Sequence, residues 1–446
     1  MIGCHLGRLF QVSVSGGSYQ DGLTALVQGV PPGMYLTEQE VYGDLLLRKP
    51  GADELSSPRK EPDLPIIYTG LNCADTIQGA GNKLQTNGTP LTILVPNLDR
   101  HDIHVKQYQD TNRTPRPGHA SYASFLKYGQ ADDSIGAGIF SGRYTCTIVA
   151  AGYVAKKILN ACGIRVFSYV RELAGVRCPE LDHEAIFTYT EAYKRMRRDT
   201  DAFYQELYVK GRLNMDMRFL EKARVFAEVE QEIDDIRDKT PHIPAERVRA
   251  EYGVHEVINC PDMPAADEMM EVVRRITMTG DSAGGVVEVV ALGVPPGLGE
   301  PVFEKLDGGL GRMLGIASIK AVEIGAGFGV KDLTGYQSND QMRSVDGKVE
   351  FASNNAGGIT GGLSTGQPIV ARVAVKPTPT IDRPQGTIDK YTLANADLAA
   401  ITRRDPTIVA RVWPVAENYT ALVLLDHLIA HYGYQAIKAK IAGEGT

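Results

Sequence analysis

TALVQGVPPGMYLTEQEV, residues 24 to 41, and EVVALGVPPGLGEPVFEKL, residues 288 to 306, decide the reading of this chain. Each runs from an apolar, strand-like stretch through GVPPG into residues with helical spacing. The paired prolines fix φ, and the flanking glycines supply conformations that other residues avoid, so one turn is written twice. A turn repeated so far apart predicts two related halves, each a strand, a proline-fixed turn and a helix.

Helices follow where apolar residues recur every three or four positions. Val149, Tyr153, Val154 and Ile158 lead to Gly163 as a C-terminal cap, and Ala421, Leu422, Leu425, Leu428 and Ile429 mark another helix. Phe219, Ala223, Phe226, Val229, Ile233 and Ile236 form an apolar stripe between charged faces. With the Tyr- and Arg-rich residues 184 to 210, it reads as a helical hairpin ending at the TPHIP loop, residues 240 to 244. The length allows one large domain or two moderate ones, and the family resemblance given below implies one α+β domain over residues 1–446, with residues 181–254 a helical insertion. That stripe is expected to pack on another subunit or over the mouth of a site, and removal of residues 184 to 238 is expected to leave a folded core. A second insertion is read around residues 73 to 86.

The 446 residues are 43% hydrophobic and 23% charged, ordinary for a globular enzyme. A net charge of -7, from 54 acidic and 47 basic residues, argues against a general nucleic-acid or membrane-surface binder. The start MIGCHLGRLFQVSV lacks the basic flank and apolar run of a signal peptide, and no stretch approaches the roughly 20 apolar residues of a bilayer span. A cytoplasmic protein is expected. Cys4, Cys73, Cys146, Cys162, Cys178 and Cys260 lie far apart without a C-x-x-C pair, which predicts reduced thiols and neither a disulfide framework nor a zinc site. His101, Asp102 and His104 lack further ligands at metal spacing, so no metal is expected.

No phosphate-binding P-loop, dinucleotide fingerprint or nucleophile elbow occurs. Glycine and polar groups instead concentrate in RPGHASYASFLKYG (residues 116 to 129), SGRYT (141 to 145), SNNAGGITGGLSTGQPIVARVAVKPTPT (353 to 380) and TRRDPTIVARVWPVAE (402 to 417). In the third of these, backbone amides can close on a flat or anionic ligand, with Lys376, Arg403 and Arg411 adding positive charge. His119 is a candidate general acid or base, because imidazole titrates near neutrality. Asp405, beside two arginines, should stay ionised.

Taken in order, these segments resemble the chorismate synthase family. Its GVPPG, R-R-E-P-D, R-P-G-H-A-D, S-A-R-E-T, G-D-S-x-G, GLGEPVF, V-E-I-G-x-G-F, S-N-x-A-G-G-I-x-G-G, K-P-T, R-H-D-P and D-H-L stretches appear here as GVPPG, RKEPD, RPGHAS, SGRYT, GDSAGG, GLGEPVF, VEIGAGF, SNNAGGITGG, KPT, RRDP and DHL. The resemblance implies a sandwich of helices and antiparallel sheets with internal pseudo-symmetry, a homotetramer or homodimer, and reduced FMN, supplied if need be by an external flavin reductase. It also implies a 1,4-elimination that turns 5-enolpyruvylshikimate 3-phosphate into chorismate. Carried over residue by residue, His119 and Asp405 are catalytic, while Ser141, Gly361, Lys376, Pro377, Thr378, Thr380 and Arg403 hold the flavin. Arg48, Lys49, Arg59, Arg116, Arg143 and Arg411 bind the acidic substrate.

The departures bear on the substrate. The family histidine thought to protonate the departing phosphate stands here as Tyr19, in GGSYQ, and a phenol is a weaker acid than an imidazolium. Three consecutive family arginines appear as Leu47, Arg48 and Lys49, and Glu54 falls where a further arginine is usual. A carboxylate in an anion site repels anions, so the expected substrate is a less charged shikimate-type acid such as shikimate 3-phosphate or shikimate. The alternatives are an authentic chorismate synthase and a non-catalytic subunit that keeps the fold.

Overall fold

A computed structural model describes residues 2–51, 53–56, 61–72, 84–99, 112–133, 135–214, 216–238, 243–400 and 404–443. Residues 73–83 of the second expected insertion, and His101, Asp102 and His104, lie outside them.

Alternating burial along β3 (Gly22–Gln28) makes it the middle strand of an antiparallel sheet ordered β1 (His5–Leu6), β2 (Gln11–Gly16), β3, β5 (Leu91–Pro96) and β4 (Ile66–Thr69). A second five-stranded antiparallel sheet is ordered β7 (Val176–Arg177), β6 (Arg165–Leu173), β8 (Gly285–Leu292), β10 (Ile369–Val375) and β9 (Ile319–Ile324). The main helices are α1 (Glu38–Arg48), α2 (Thr145–Ala161), α3 (His183–Thr200), α4 (Phe219–Asp238), α5 (Met263–Met278) and α6 (Val409–Tyr432). Helix α2 lies on β2, β3 and β5, α6 lies on β6, β8 and β10, and the two helices pack on each other. The result is an α+β sandwich with a sheet on each outer side and helices between.

The two GVPPG turns leave the middle strand of each sheet, as the repeat predicts, and each is closed by a hydroxyl. Thr86 Oγ1 donates to Pro31 O at 2.6 Å and accepts from Met34 N at 3.0 Å. Ser364 Oγ donates to Pro295 O at 2.6 Å and accepts from Leu298 N at 2.8 Å. Gly33 and Gly297 share a φ of +94°, which a side chain would strain. The halves differ beyond the turn: the first continues into α1, the second into a short helix, Leu306–Gly311.

Between α2 and α6 a Cβ on Gly152 would stand 2.4 Å from Asn418 Cβ, so only glycine allows this approach. Beside it sits a closed ionic cluster. Lys156 pairs with Asp44 and, at 2.6 Å, with Glu417; Lys194 of α3 reaches the same Glu417 oxygen at 2.8 Å. Asn418 Nδ2 donates to Asp44 at 3.1 Å. Burial alone would lower the Lys156 pKa, but Asp44 and Glu417 outweigh it and raise it above the ordinary value.

The stripe of the expected insertion behaves differently from the sequence expectation. Phe226, Val229, Ile233 and Ile236 are buried within this chain, with α4 lying against β4, while α3 packs on α1 and β6. The side chains reach inward because their charged neighbours have buried partners here, Lys222 pairing with Glu38 at 2.5 Å and Lys194 with Glu417. Phe226, Val229, Ile233 and Ile236 thus find their cover within this chain, while Phe219 at the start of the stripe stays 40% exposed.

Candidate functional site

Parts of the segments flagged in the sequence, around Arg116–His119, Arg143, Lys376–Thr380 and Asp405–Arg411, form two polar networks where the first half of the chain faces the second, whereas no contact among the described residues ties Gly361 to either. The first centres on Arg48, at the C-terminal end of α1, and Arg143, at the start of α2. Both are almost wholly buried. Arg48 Nη1 donates to Arg143 O at 3.0 Å, and its Nη2 stands 3.0 Å from Asp63. Arg143 donates from Nε to Asn97 Oδ1 at 2.8 Å, pairs with Glu61 at 3.2 Å and also pairs with Asp63. Glu61 is held in turn by Leu98 N at 2.9 Å. Two guanidinium groups and two carboxylates therefore make a rigid, charge-balanced floor.

Two features tie this floor to the remaining candidates. Asn97 Nδ2 donates to Gly17 O at 3.0 Å and Gln20 O at 2.6 Å, fixing the turn that carries half-buried Tyr19. Arg411 Nε donates to Arg48 O at 2.9 Å while its Nη1 donates to Asp405 Oδ1 at 2.9 Å. The sequence placed Asp405 directly after two arginines. Among the described residues its carboxylate pairs with Arg411, six residues further on, while Arg404 turns to Asp281 O at 3.0 Å and Thr277 O at 3.1 Å.

The second network surrounds His119. Ser121 N donates to Nδ1 at 3.2 Å and Nε2 stands 3.3 Å from Arg116 Nη2, so both ring nitrogens face donors. Arg116 Nη1 donates to Thr380 Oγ1 at 3.1 Å, and Lys376 Nζ donates to Gly118 O. Burial, then Arg116 and Lys376, push the His119 pKa down to about 3, so the expectation of titration near neutrality is corrected. At neutral pH this ring is a fixed, uncharged hydrogen-bonding group. Thr378 joins the networks, its Oγ1 donating to Asp405 O at 2.7 Å while its carbonyl accepts from Ser282 Oγ at 2.8 Å.

Other candidates fall elsewhere. Ser141 Oγ accepts from Arg143 N at 3.3 Å, capping the turn that leads into α2. Arg59 and Arg403 lie outside the described residues. Lys49 turns away from the floor into a buried pair with Asp201, which precedes the π-helical turn Tyr204–Val209. Glu54 pairs with Arg274 through contacts of 3.0 and 2.5 Å, so it adds no carboxylate to the floor, as had been expected. Arg274 sits on α5, and the pair is exposed.

Sequence reasoning assigned no role to Glu61, Asp63, Asn97, Tyr144 or Asp201. Glu61 and Asp63 lie in RKEPD, a quoted motif, and that was the available signal. Tyr144 stands where the family has glutamate; its hydroxyl donates to Gly315 O at 2.9 Å and accepts from Ala317 N at 2.9 Å, fastening the start of α2 to the second half. Nothing local in the sequence announces that contact. Among the described residues no cluster of His, Cys, Asp and Glu suits a metal ion, and no helix is long and apolar enough to cross a membrane.

The sequence profile described as chorismate synthase matches residues 10–429. A curated chorismate synthase from Acetivibrio thermocellus is 38% identical over 99% of this chain and 98% of its own. One from Methanosarcina mazei is 36% identical over 96% of this chain and 97% of its own. A solved chorismate synthase crystal structure, 24% identical, covers 98% of both chains with a TM-score of 0.65, a likeness of fold. Since the profile spans both sheets, both GVPPG turns and both polar networks, the chain belongs to the chorismate synthase family and is a carbon–oxygen lyase of the shikimate pathway.

Proposed function

We propose that the chain catalyses a reduced-FMN-dependent 1,4-elimination on a shikimate-derived cyclohexene acid that carries fewer anionic groups than 5-enolpyruvylshikimate 3-phosphate. One observation carries the choice of substrate. In the run where the family has three arginines, Leu47 is buried in the apolar core, Arg48 is balanced by Asp63, and Lys49 is held by Asp201. Shikimate 3-phosphate and shikimate fit such a site better than a triply acidic substrate.

The glycine-rich segment fits a flavin. Gly361 has a φ of +65° with open space where a Cβ would be, and a Cβ on Gly118 would stand 3.3 Å from Pro379 and 3.9 Å from Lys376 Nζ. Gly361, Lys376, Pro377, Thr378, Thr380 and Ser141 would hold FMN, with Arg403 the further candidate. The chemistry that reduced FMN supplies when bound is electron density for the breaking carbon–oxygen bond. His119 offers a neutral hydrogen bond in that region. Asp405, oriented by Arg411, is the candidate base, and Arg116, Arg143, Arg48 and Arg411 orient the acid. Tyr19 contributes a hydroxyl to the leaving oxygen.

Phe303, Tyr336, Phe328 and Val349 stand exposed on the second half, at 95%, 80%, 71% and 64%, which supports a homotetramer or homodimer. A second substrate reading, 5-enolpyruvylshikimate 3-phosphate to chorismate, is favoured by the curated relatives' names and by Glu54 being paired with Arg274. Anaerobic incubation with reduced FMN and each of the three acids, followed by diene absorbance and mass, separates the readings. Turnover of shikimate 3-phosphate or shikimate is expected; rapid chorismate formation with neither of these consumed would overturn the first reading.

A further inference from the structure

The segment that carries α3 and α4 sends one acidic side chain to the residue next to the arginine floor. Lys49 closes the C-terminal end of α1, and the peptide carbonyl just before it, Arg48 O, accepts from Arg411 Nε at 2.9 Å. Its backbone thus belongs to the floor, and its side chain does not. The Lys49 ammonium pairs with Asp201, donates to Tyr42 Oη at 3.3 Å and lies 4.8 Å from the centre of the Phe203 ring. Lys49 is 7% exposed.

Asp201 is itself fixed. Its Oδ1 accepts from Tyr42 Oη at 3.1 Å and from Tyr204 N at 2.8 Å, where α3 gives way to the π-helical turn. Aromatic rings close the pocket, with Tyr42 and Tyr208 centroids 5.5 Å apart. A lysine stem has four rotatable carbons and a single point charge, and here the Asp201 carboxylate with the Tyr42 and Phe203 rings holds that charge in place.

We propose that Asp201 is a specificity-determining residue: by sequestering the Lys49 ammonium it removes one positive charge from the anion site and so sets how anionic a substrate the enzyme accepts. This rests on the reading of the arginine floor as the substrate's anion site. It gives the helical segment a part in substrate choice, without any contact between that segment and the reacting atoms.

The test is a mutant cycle read by calorimetric titration of inorganic phosphate into the purified full chain, a measurement that needs neither flavin nor turnover. Asp201→Asn keeps a side-chain acceptor for Tyr42 and Tyr204 while releasing Lys49. Releasing one unit of positive charge beside the anion site should tighten phosphate binding about tenfold. Asp201→Asn with Lys49→Met should return to the wild-type value, and Lys49→Met alone should match wild type within about twofold. Asp201→Asn binding phosphate no better than wild type, including no binding by either, overturns the proposal. So does a gain that survives Lys49→Met, or a large loss in Lys49→Met alone, which also covers the case in which Asp201→Asn fails to fold. In turnover assays Asp201→Asn should raise kcat/KM for shikimate 3-phosphate relative to shikimate. Absence of any turnover would count against the proposed function, while the phosphate titration would still judge Asp201.

Discussion

Replacing Lys194 with Met probes how the helical segment is anchored. Lys156 and Lys194 face Asp44 and Glu417 in a space largely closed to water, and Lys194 also pairs at 2.9 Å with partly exposed Glu191. Methionine preserves most of the stem's volume and removes one charge, leaving a net negative cluster. Breaking a buried pair from one side costs about 3–5 kcal/mol, because the remaining ion is stranded. Lys156 retains both carboxylates and Glu417 retains Ser168 Oγ at 3.2 Å, which points to the lower end, about 3 kcal/mol. Urea unfolding followed by circular dichroism should show that loss, and adding Glu417→Gln should recover about half of it by removing a stranded buried carboxylate. A loss below about 1 kcal/mol, or no recovery in the double variant, would refute the account of the cluster. The same reasoning reverses the expectation drawn from sequence: deletion of residues 184 to 238 removes the partners of Glu417, Glu38 and Lys49 together and should yield an insoluble chain.

Three further outcomes are expected. His119 has a folded-state pKa of about 3 against an ordinary 6.5, so the unfolded chain takes up this proton first; its contribution to stability is full above pH 6.5 and is lost as pH falls toward 3. Imidazole NMR should place the His119 midpoint below about pH 4, Arg116→Gln should raise it, and a wild-type midpoint near 6.5 would contradict the electrostatics. Thr86→Val and Ser364→Ala each remove the hydroxyl that closes a GVPPG turn, and each should cost about 1–3 kcal/mol in thermal unfolding; a cost confined to one of them would argue against equivalent turns. Titration of the apoprotein with FMN should perturb flavin absorbance, and Gly361→Val should abolish the change, whereas unaltered spectra throughout would remove the flavin from the proposed function.

The two-sheet plan was legible because turn chemistry is local. Prolines and glycines act on their own backbone, so a repeated GVPPG could be read as a repeated turn with no knowledge of its surroundings. The stripe of α4 was equally legible as a helix over Phe219–Asp238. What covers that stripe was not, because periodicity reports that a face is buried and is silent about its partner. The site shows the same division. Arg48, Lys49 and Arg143 were identified by type, yet their directions depend on Asp63, Asp201, Asn97 and Glu61, which carry no signal of that role in the sequence. His119 illustrates the limit most directly. Its ordinary pKa suggested titration near neutrality, and burial, with Arg116 and Lys376 beside the ring, reverses that.

Near-equivalent halves also explain why the site is single. Each half builds its sheet around the same strand and turn, so the scaffold is duplicated, but only the first turn leads into a helix long enough to carry Arg48 and Lys49 across the interface. The second leads into the short helix Leu306–Gly311, and the second half supplies instead Lys376, Thr378, Asp405 and Arg411. The bonds from Arg411 to Arg48 O and from Tyr144 to Gly315 O cross between the halves. A symmetric pair of sites would need both sets twice, and the sequence holds each once. A change that loosens the interface should therefore impair binding of the acid while leaving both sheets intact. Tyr144→Phe is the smallest such change, because it removes one hydroxyl bonded on both sides and keeps the ring. It should raise the substrate KM more than it lowers Tm, and the reverse pattern would place Tyr144 in the stability of the fold and outside the alignment of the halves.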